Sequence, residues 1–188
     1  MKLLCAEYNS SEEMALSVVG DNALLRNNND FYFPAFTQEV SCVPQLVLKA
    51  CKLGKGFTGR FASRYYNEIG VGIRFYADTL EQTLKTRGLP CGVASSFDES
   101  AALSVMESYT GGNADYYLKV NRNIVFEGNA CDLPVNMEQF VSQASGYYMI
   151  KIGDFFYCGN PFRYKGLKIG DRLQMGLNGK CLLDFYVR

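Results

Sequence analysis

Hydrophobic residues along the chain fall into short blocks separated by glycine, proline, asparagine and aspartate, a pattern typical of β-strands. The blocks with the strongest strand pattern are residues 2–8, 39–49, 69–75 and 155–158. In the second block Leu46, Val47 and Leu48 occupy adjacent positions, which predicts a central strand buried on both faces. The third block contains two glycines, which allow another part of the backbone to approach closely. A shorter strand is predicted over the aromatic residues 31–33, ending at Pro34.

Two hairpins are predicted near the C-terminal half, because turn-forming residues interrupt alternating apolar segments there. The first turns at residues 121–123 and the second at Asn178-Gly179. Helical periodicity is confined to a few short stretches. They are a polar helix capped by Ser10 or Ser11 and ending before a turn at Gly20-Asp21, a helical turn at 61–66, a helix capped by Asp78 or Thr79 with Leu80 and Leu84 on one face, and an amphipathic helix over 134–148.

Composition places the chain among globular proteins with a sizeable core. It has 188 residues, 48% of them apolar and 14% aromatic, the size of one domain spanning residues 1–188. Nineteen basic and nineteen acidic residues cancel, so neither nucleic acid nor an anionic membrane is expected as a partner. No segment reaches the roughly 20 apolar residues of a membrane span. The N-terminus starts like a signal peptide but soon meets acidic residues, so we interpret it as a strand and expect a cytoplasmic protein.

The reactive residue types are limited. Seven cysteines without a C-x-x-C pair favour buried free thiols over disulfides or a zinc site. There is no histidine. This absence removes the usual general base and the Ser-His and Cys-His nucleophile pairs.

Several motifs give the chain a resemblance to a known family. They are I-G-V-G-I at 69–73, K-T-R-G-L-P at 85–90, L-K-V-N at 118–121, G-D-x-x-x-x-G-x-P at 153–161 and L-K-I-G-D at 167–171. In these motifs the chain resembles the fumarylacetoacetate hydrolase (FAH) family over nearly its whole length. The resemblance implies an α+β, mostly β fold, a mixed β-sheet roll with a few short peripheral helices. It also implies that the N-terminal lid region, about residues 1–25, is shortened.

At the metal site of that family the chain departs from the pattern. The three carboxylate ligands of the family correspond to Val43, Gln45 and Arg74. Valine offers no ligand, glutamine only a neutral carbonyl, and a guanidinium repels a divalent cation, so we expect that neither Mg2+ nor Mn2+ binds there. Pro44, between two of these positions, is expected to interrupt the strand or create a bulge.

The other polar positions of the family site are also replaced. Glu13 aligns with the catalytic histidine, Ser95 with a lysine thought to contact substrate, and Asn160 with a threonine. With Arg74 and Asp78, these are the candidate pocket residues. Three roles are open for Arg74. It could pair with Asp78 or Glu68 in the emptied metal site, extend to solvent, or bind a carboxylate-bearing ligand directly.

These replacements favour a catalytically inactive relative of the family, without catalytic residues or cofactor. Such a protein would act as a ligand-binding protein for a small carboxylate, or as a structural protein forming a homodimer or a heterodimer with a paralogue. The alternative is an FAH-type hydrolase, isomerase or decarboxylase with a rebuilt active site, acting on acylpyruvates or oxaloacetate-like keto acids. Fold similarity alone would favour the alternative, but fold is weak evidence for chemistry.

Overall fold

A computed structural model describes residues 1–8 and 13–188 and contains two β-sheets with three short α-helices beside them. The predicted α+β, mostly β fold is confirmed. The strands are β1 Lys2–Tyr8, β2 Met14–Gly20, β3 Leu24–Leu25, β4 Val40–Ala50, β5 Tyr66–Ala77, β6 Ala101–Leu103, β7 Glu107–Ser108, β8 Asp115–Val120, β9 Asn123–Asn129, β10 Phe155–Cys158, β11 Arg172–Leu177 and β12 Lys180–Tyr186. The helices are α1 Gly59–Ala62, α2 Asp78–Thr86 and α3 Met137–Tyr147.

The larger sheet has eight strands in the order β2-β1-β10-β4-β5-β6-β3, with β7 added to one end of β5. Strands β4 and β5 lie at its centre and form a long antiparallel pair. Every residue of β4 except Lys49 is buried, as the continuous apolar run predicts. This central pair carries the positions that the sequence singles out.

Pro44 does not interrupt β4, contrary to the prediction. The β4–β5 register runs without a shift from Val40 to Lys49. Neighbouring strand residues direct their backbone groups to opposite sides, and the amide of Cys42 bonds Tyr164 on the side away from β5. Pro44 has the same parity, so its missing N–H faces away from β5, and the Asn160 side chain donates to its carbonyl at 2.6 Å. The proline therefore costs the central ladder no hydrogen bond.

The predicted polar helix near the N-terminus is wrong over residues 14–20, where the chain forms strand β2. Its candidate caps, Ser10 and Ser11, lie outside the described residues. The segment M-A-L-S-V-V-G pairs antiparallel with β1 along its full length. Two adjacent valines and the hydrogen bonds offered by β1 favour the strand over the helix suggested by the preceding glutamates.

The smaller sheet has the order β12-β11-β8-β9 and contains both predicted hairpins. Asn121 and Arg122 both have positive φ, as do Asn178 and Gly179, which is the geometry of two-residue type I′ turns. The predicted strand at residues 31–33 is reduced to one bridge between Phe31 and Val187.

Helices α2 and α3 form where the sequence predicts them, but the predicted side-chain cap of α2 is absent. Helix α3 is capped by Asn136, whose side chain accepts from the amide of Gln139 at 2.8 Å. Helix α2 begins at Asp78, but the residue before it is Ala77 and no side chain caps it. The Asp78 carboxylate is engaged with other side chains, described below. No helix of the described residues is long and apolar enough to cross a membrane.

The larger sheet has a different environment on each face. One face packs on the smaller sheet and on α3 to form the main core. The other face carries a smaller apolar cluster, which includes Leu3, Cys5, Val47, Leu103 and Tyr157. All seven cysteines are free thiols; Cys5, Cys42 and Cys158 are buried, whereas Cys131 and Cys181 are exposed.

Candidate functional site

The three positions predicted to replace metal ligands lie together on the face with the smaller apolar cluster. Val43 is directly opposite Arg74 in the β4–β5 ladder, and Gln45 is opposite Gly72. Directly opposed residues of an antiparallel pair share a face. The register therefore brings Val43, Gln45 and Arg74 to one place.

Arg74 is the largest side chain that is fully enclosed by the protein. Its guanidinium donates to the Cys5 sulfur at 2.9 Å and to the Ser95 carbonyl oxygen at 2.5 Å. The Glu7 carboxylate lies 3.7 Å away, while Nε of Arg74 has no partner among the described residues. Burial lowers the pKa of Arg74, but the electrostatic effects of Cys5, Tyr76 and Glu7 outweigh it and raise the pKa, so the group stays cationic.

Two of the three predicted roles of Arg74 are wrong. The side chain does not extend to solvent, because it is 0% exposed. It does not pair with Asp78 or Glu68: Asp78 binds Arg163, and Glu68 binds Lys49 at 2.8 Å. The acidic neighbour of Arg74 is instead Glu7 of β1, a strand that is separated from β5 by β10 and β4 in the sheet.

Glu7 links Arg74 to a second polar group. Its carboxylate accepts from the Tyr76 hydroxyl at 2.5 Å and from the Ser17 hydroxyl at 2.8 Å. Burial and the nearby Glu7 charge raise the pKa of Tyr76 well above its usual value, so the phenol remains a neutral donor. Burial raises the pKa of the Cys5 thiol to about 12, so this cysteine is not a thiolate nucleophile at neutral pH.

A second arginine, Arg163, lies beside Tyr76 at the edge of the site. Its guanidinium is 4.3 Å from the centre of the Tyr76 ring, donates to Ser41 at 2.5 Å and forms ion pairs with Asp78 and Glu81. Ser41 also donates to Asp78 at 2.8 Å. Both arginines beside the site therefore already have acidic partners within the chain.

The space between these groups is a cavity of about 40 Å3. Its lining includes Glu7, Val43, Gln45, Asn160 and Arg163. The side chain of Gln45 is 1% exposed, and neither its oxygen nor its nitrogen has a partner among the described residues. The Tyr8 hydroxyl, which also lines this cavity, has no side-chain hydrogen-bond partner among the described residues either. The cavity is thus bordered by two uncharged polar groups, the Gln45 amide and the Tyr8 hydroxyl, that the described part of the chain leaves unsatisfied.

Large side chains occupy the rest of this face. The Tyr157 ring lies directly over Gly72, where an added Cβ would be only 2.6 Å from a ring carbon. The Tyr157 hydroxyl donates to the Ala102 carbonyl at 3.2 Å. The backbone therefore needs glycine at position 72, and the ring next to Gln45 fills volume that would otherwise be open.

The candidate pocket residues are only partly brought together. Asn160 lines the small cavity and a neighbouring one of about 280 Å3. Ser95 contributes its carbonyl to Arg74, and Asp78 reaches the site through Arg163. Glu13 is exposed ahead of β2 and is not among the residues that line the cavity.

The residues of this site that were not predicted include Cys5, Glu7, Tyr76 and Arg163. For Glu7 a signal was present in the sequence, because it shares one face of β1 with the apolar residues Leu3 and Cys5. An acidic residue on an otherwise buried strand face indicates an internal partner. Neither Tyr76 nor Arg163 stands out from its local sequence.

Solved structures with this architecture are numerous and cover essentially the whole chain. The fumarylpyruvate hydrolase from Pseudomonas aeruginosa, in complex with Mn2+ and pyruvate, matches with a TM-score of 0.89 at 16% identity, covering 100% of this chain and 89% of that one. The 5-carboxymethyl-2-hydroxymuconate delta-isomerase from Mycobacterium smegmatis matches with a TM-score of 0.85 at 17% identity, covering 99% and 76%. At these identities the likeness shows the fold.

The chain is also similar in sequence to characterised proteins. The mitochondrial oxaloacetate tautomerase FAHD1 of Bos taurus is 23% identical over 158 residues, which cover 82% of this chain and 72% of the relative. The human protein of the same name is 21% identical over 179 residues, covering 93% and 81%. The resemblance to the FAH family is confirmed. No protein-family model matches the chain.

Within the FAH family fold, the position of the site follows from the register. The strand pair β4–β5 is the one on which the resemblance places the family's carboxylate ligands, and Val43 and Arg74 are neighbours in it. The confirmed fold and the observed pairing thus agree with the proposed correspondence of these positions.

Proposed function

We propose that this chain is a catalytically silent relative of the FAH family whose site is filled by its own side chains. The observation that carries the proposal is the enclosed guanidinium of Arg74, hydrogen-bonded to Cys5 and Ser95 where the resemblance implies a metal-ligand carboxylate. A fixed positive charge at that point opposes a divalent cation and cannot be removed by deprotonation.

The donor groups of the site do not fit Mg2+ or Mn2+. These ions need several hard oxygen ligands, normally including carboxylates, in nearly octahedral geometry. Val43 provides none and Gln45 one neutral oxygen, while the oxygens of Glu7 already accept from Ser17 and Tyr76. Among the described residues, no group of three or more cysteine, aspartate or glutamate side chains could hold a metal ion.

The size of the cavity also argues against a family-type substrate. Small-molecule sites usually occupy about 300–1,000 Å3, whereas a water molecule takes about 30 Å3 of liquid volume. The cavity of about 40 Å3 beside Gln45 is on the scale of water molecules. A small carboxylate ligand, if bound, would reach Arg163 at the rim rather than the enclosed Arg74.

Activity assays with added metal test the proposal. We expect no acceleration of oxaloacetate keto–enol exchange and no acylpyruvate hydrolysis in millimolar Mg2+ or Mn2+. A metal-dependent rate that is lost in Arg74→Ala would overturn the proposal. Restoring the carboxylates with Val43→Glu, Gln45→Glu and Arg74→Asp together should create Mn2+-dependent thermal stabilisation, because a ligand of the native state raises its stability.

A second candidate function is a metal-free enzyme with a rebuilt site, favoured by the similarity to oxaloacetate tautomerases. Glu7 is the carboxylate at the cavity, with the Tyr76 phenol beside it, and such a pair could transfer a proton between carbon and oxygen. Tautomerase activity that is independent of metal and lost in Glu7→Gln would favour this candidate over the silent site.

The remaining parts of the proposal follow from the sequence. We propose one FAH-like domain over residues 1–188, a cytoplasmic location, and assembly as a homodimer or with a paralogue. The tautomerase relatives are named as mitochondrial proteins, which differs from the cytoplasmic location proposed for this chain. Fractionation of cells that express the tagged chain is the direct check of its location.

A further inference from the structure

We propose that a groove beside Arg26 binds a small organic anion with an apolar body, of the medium-chain carboxylate class. The groove has a volume of about 350 Å3 and lies on the same face of the larger sheet as the candidate site, but towards the other end of β4. Val43 and Lys49 are six residues apart on that strand, a distance of about 20 Å. Val47 and Tyr157, both fully buried, lie on the face between them. The groove is therefore separate from the small cavity described above.

The floor of the groove is apolar because of the residues that the sheet brings to this face. Phe155 of β10 and Leu103 of β6 both line the groove and belong to the smaller apolar cluster. On β5, between these strands, an added Cβ at Gly70 would be only 2.8 Å from the Met106 sulfur. The glycine therefore lets the Met106 side chain lie against the sheet, where it forms one wall of the groove.

Two large apolar side chains of the groove remain exposed to solvent. Val105 is 67% exposed and Met1 is 52% exposed, although both line the groove together with the buried Leu182 of β12. Small-molecule sites are concave, mostly apolar and usually occupy about 300–1,000 Å3. The groove has this shape and composition and a volume within that range, so its apolar surface is suited to the body of a small ligand.

Arg26 supplies the positive charge of the groove. Leu24, two residues earlier, packs on the smaller apolar cluster, and alternation continued from β3 directs Arg26 to the same face. The Arg26 guanidinium contacts the Met1 sulfur at 3.5 Å, a weak acceptor, and forms no ion pair with a carboxylate of the described residues. Lys49, the other cation in the lining, is already paired with Glu68. Arg26 therefore has hydrogen-bond donors left for a ligand.

A carboxylate is the head group that this lining complements. Within the described part of the chain, the residues that line the groove include two cations and neither aspartate nor glutamate. A guanidinium binds a carboxylate through two parallel charge-assisted hydrogen bonds. A head group at Arg26 places the apolar body of the ligand over Phe155 and Leu103. An apolar alcohol lacks the charge for Arg26, and acetate leaves the apolar floor uncovered, so both parts of the ligand are required for binding.

Isothermal titration calorimetry with octanoate gives the first test. We expect one saturable site in the wild-type chain and binding that is about tenfold weaker in Arg26→Gln, because the charge-assisted hydrogen bonds to the carboxylate are lost. Arg87→Gln is the matched control, since Arg87 is also an exposed arginine but lies outside the groove, and it should leave the affinity unchanged. Octanol and acetate, each of which has only one part of the ligand, should both bind about tenfold more weakly than octanoate.

A charge introduced on the apolar wall gives a second test. Val105→Glu places a carboxylate in the groove, where it repels an anionic ligand and competes for Arg26, so octanoate binding should again weaken about tenfold. Val93→Glu is the control, because Val93 is similarly exposed and lies outside the groove. Both replaced valines are exposed, and circular dichroism establishes that each variant is folded.

Methyl NMR of the leucine and valine side chains locates the bound octanoate. The methyl signals of Leu103, Val105 and Leu182 should shift with a single binding curve, whereas those of Val43, at the candidate site, should stay in place.

Three results would overturn the inference: no saturable binding of octanoate at millimolar concentration, equal affinities in Arg26→Gln and Arg87→Gln, or shifts confined to methyl groups outside the groove. The inference does not rest on the silent site. Metal binding or activity at the small cavity would leave octanoate binding beside Arg26 unchanged.

Discussion

Two buried charges of the larger sheet differ in how completely the chain satisfies them. Asp154 is fully buried and belongs to the retained G-D motif. It accepts from the amide of Lys2 at 3.0 Å and from the amide of Lys151 at 2.7 Å, and forms an ion pair with the Lys2 ammonium. Arg74, equally buried, has an unpartnered Nε and a carboxylate at 3.7 Å.

The difference distinguishes Asp154, which holds two strands together, from Arg74, which we propose stands where the family has a metal ligand. Removing Asp154 would leave several buried donors without an acceptor at a junction of β1 and β10. Removing the Arg74 charge would leave Glu7, which is partly exposed and keeps Ser17 and Tyr76 as donors. We infer that the G-D motif is needed for the fold, whereas Arg74 mainly fills space.

The largest expected effect follows from breaking the satisfied site. Asp154→Ala should lower the free energy of unfolding by roughly 3–5 kcal/mol, the cost of leaving buried partners uncompensated. Lys180→Ala is the control, since its ion pair with Glu107 is exposed and should contribute less than about 1 kcal/mol. Urea denaturation measures both. Equal losses in the two variants would contradict the structural role of Asp154.

A smaller effect is expected at Arg74. Arg74→Met retains much of the side-chain volume and removes a buried charge, so the free energy of unfolding should change by less than about 1.5 kcal/mol. Arg74→Ala should cost more, because it leaves a cavity. The same denaturation series would contradict this comparison if Arg74→Met were as damaging as Asp154→Ala.

The same contrast between satisfied and unsatisfied buried groups exists within the site, between the amides of Gln45 and Asn160. Gln45→Met should be neutral or stabilise by about 1 kcal/mol, because it removes a buried amide that has no partner among the described residues. The matched control is Asn160→Ala. That amide donates to the Pro44 carbonyl and accepts from the amide of Phe162, so its loss should cost about 2 kcal/mol. A clear destabilisation in Gln45→Met would indicate an ordered water or ligand on the amide.

The sequence predicted the positions that lie within recognisable motifs, but not the contacts between strands that are far apart in the sequence. The strand pattern predicted that the segments of β4 and β5 are both strands, and the resemblance to the FAH family implied that Val43, Gln45 and Arg74 lie together. They could not predict that Glu7 and Cys5 contact Arg74, because strand order is set by non-local pairing. The error at Pro44 has a similar origin, since the direction of its missing N–H depends on which neighbour pairs with β5.

The smallest expected effect concerns pH and the Arg163 cluster. Burial raises the pKa of Glu81, but hydrogen bonds and charges from Lys85 and Arg163 outweigh it and lower the pKa below its usual 4.5. Its contribution to stability is therefore present above pH 4.5 and is lost as pH falls through the lower native value. Glu81→Gln should cost less than about 1 kcal/mol at pH 7 and progressively less below pH 4.5. A cost that stays constant with pH would contradict the ion-pair origin.

Direct titration of the protein with Mn2+, followed by electron paramagnetic resonance of the free ion, tests the central claim most directly. With Arg74 enclosed at the ligand position, we predict no site with a dissociation constant below millimolar in the wild-type chain. Stoichiometric binding that is abolished by Gln45→Met or Glu7→Gln would place a divalent cation at this cavity. That result would contradict the silent-site account.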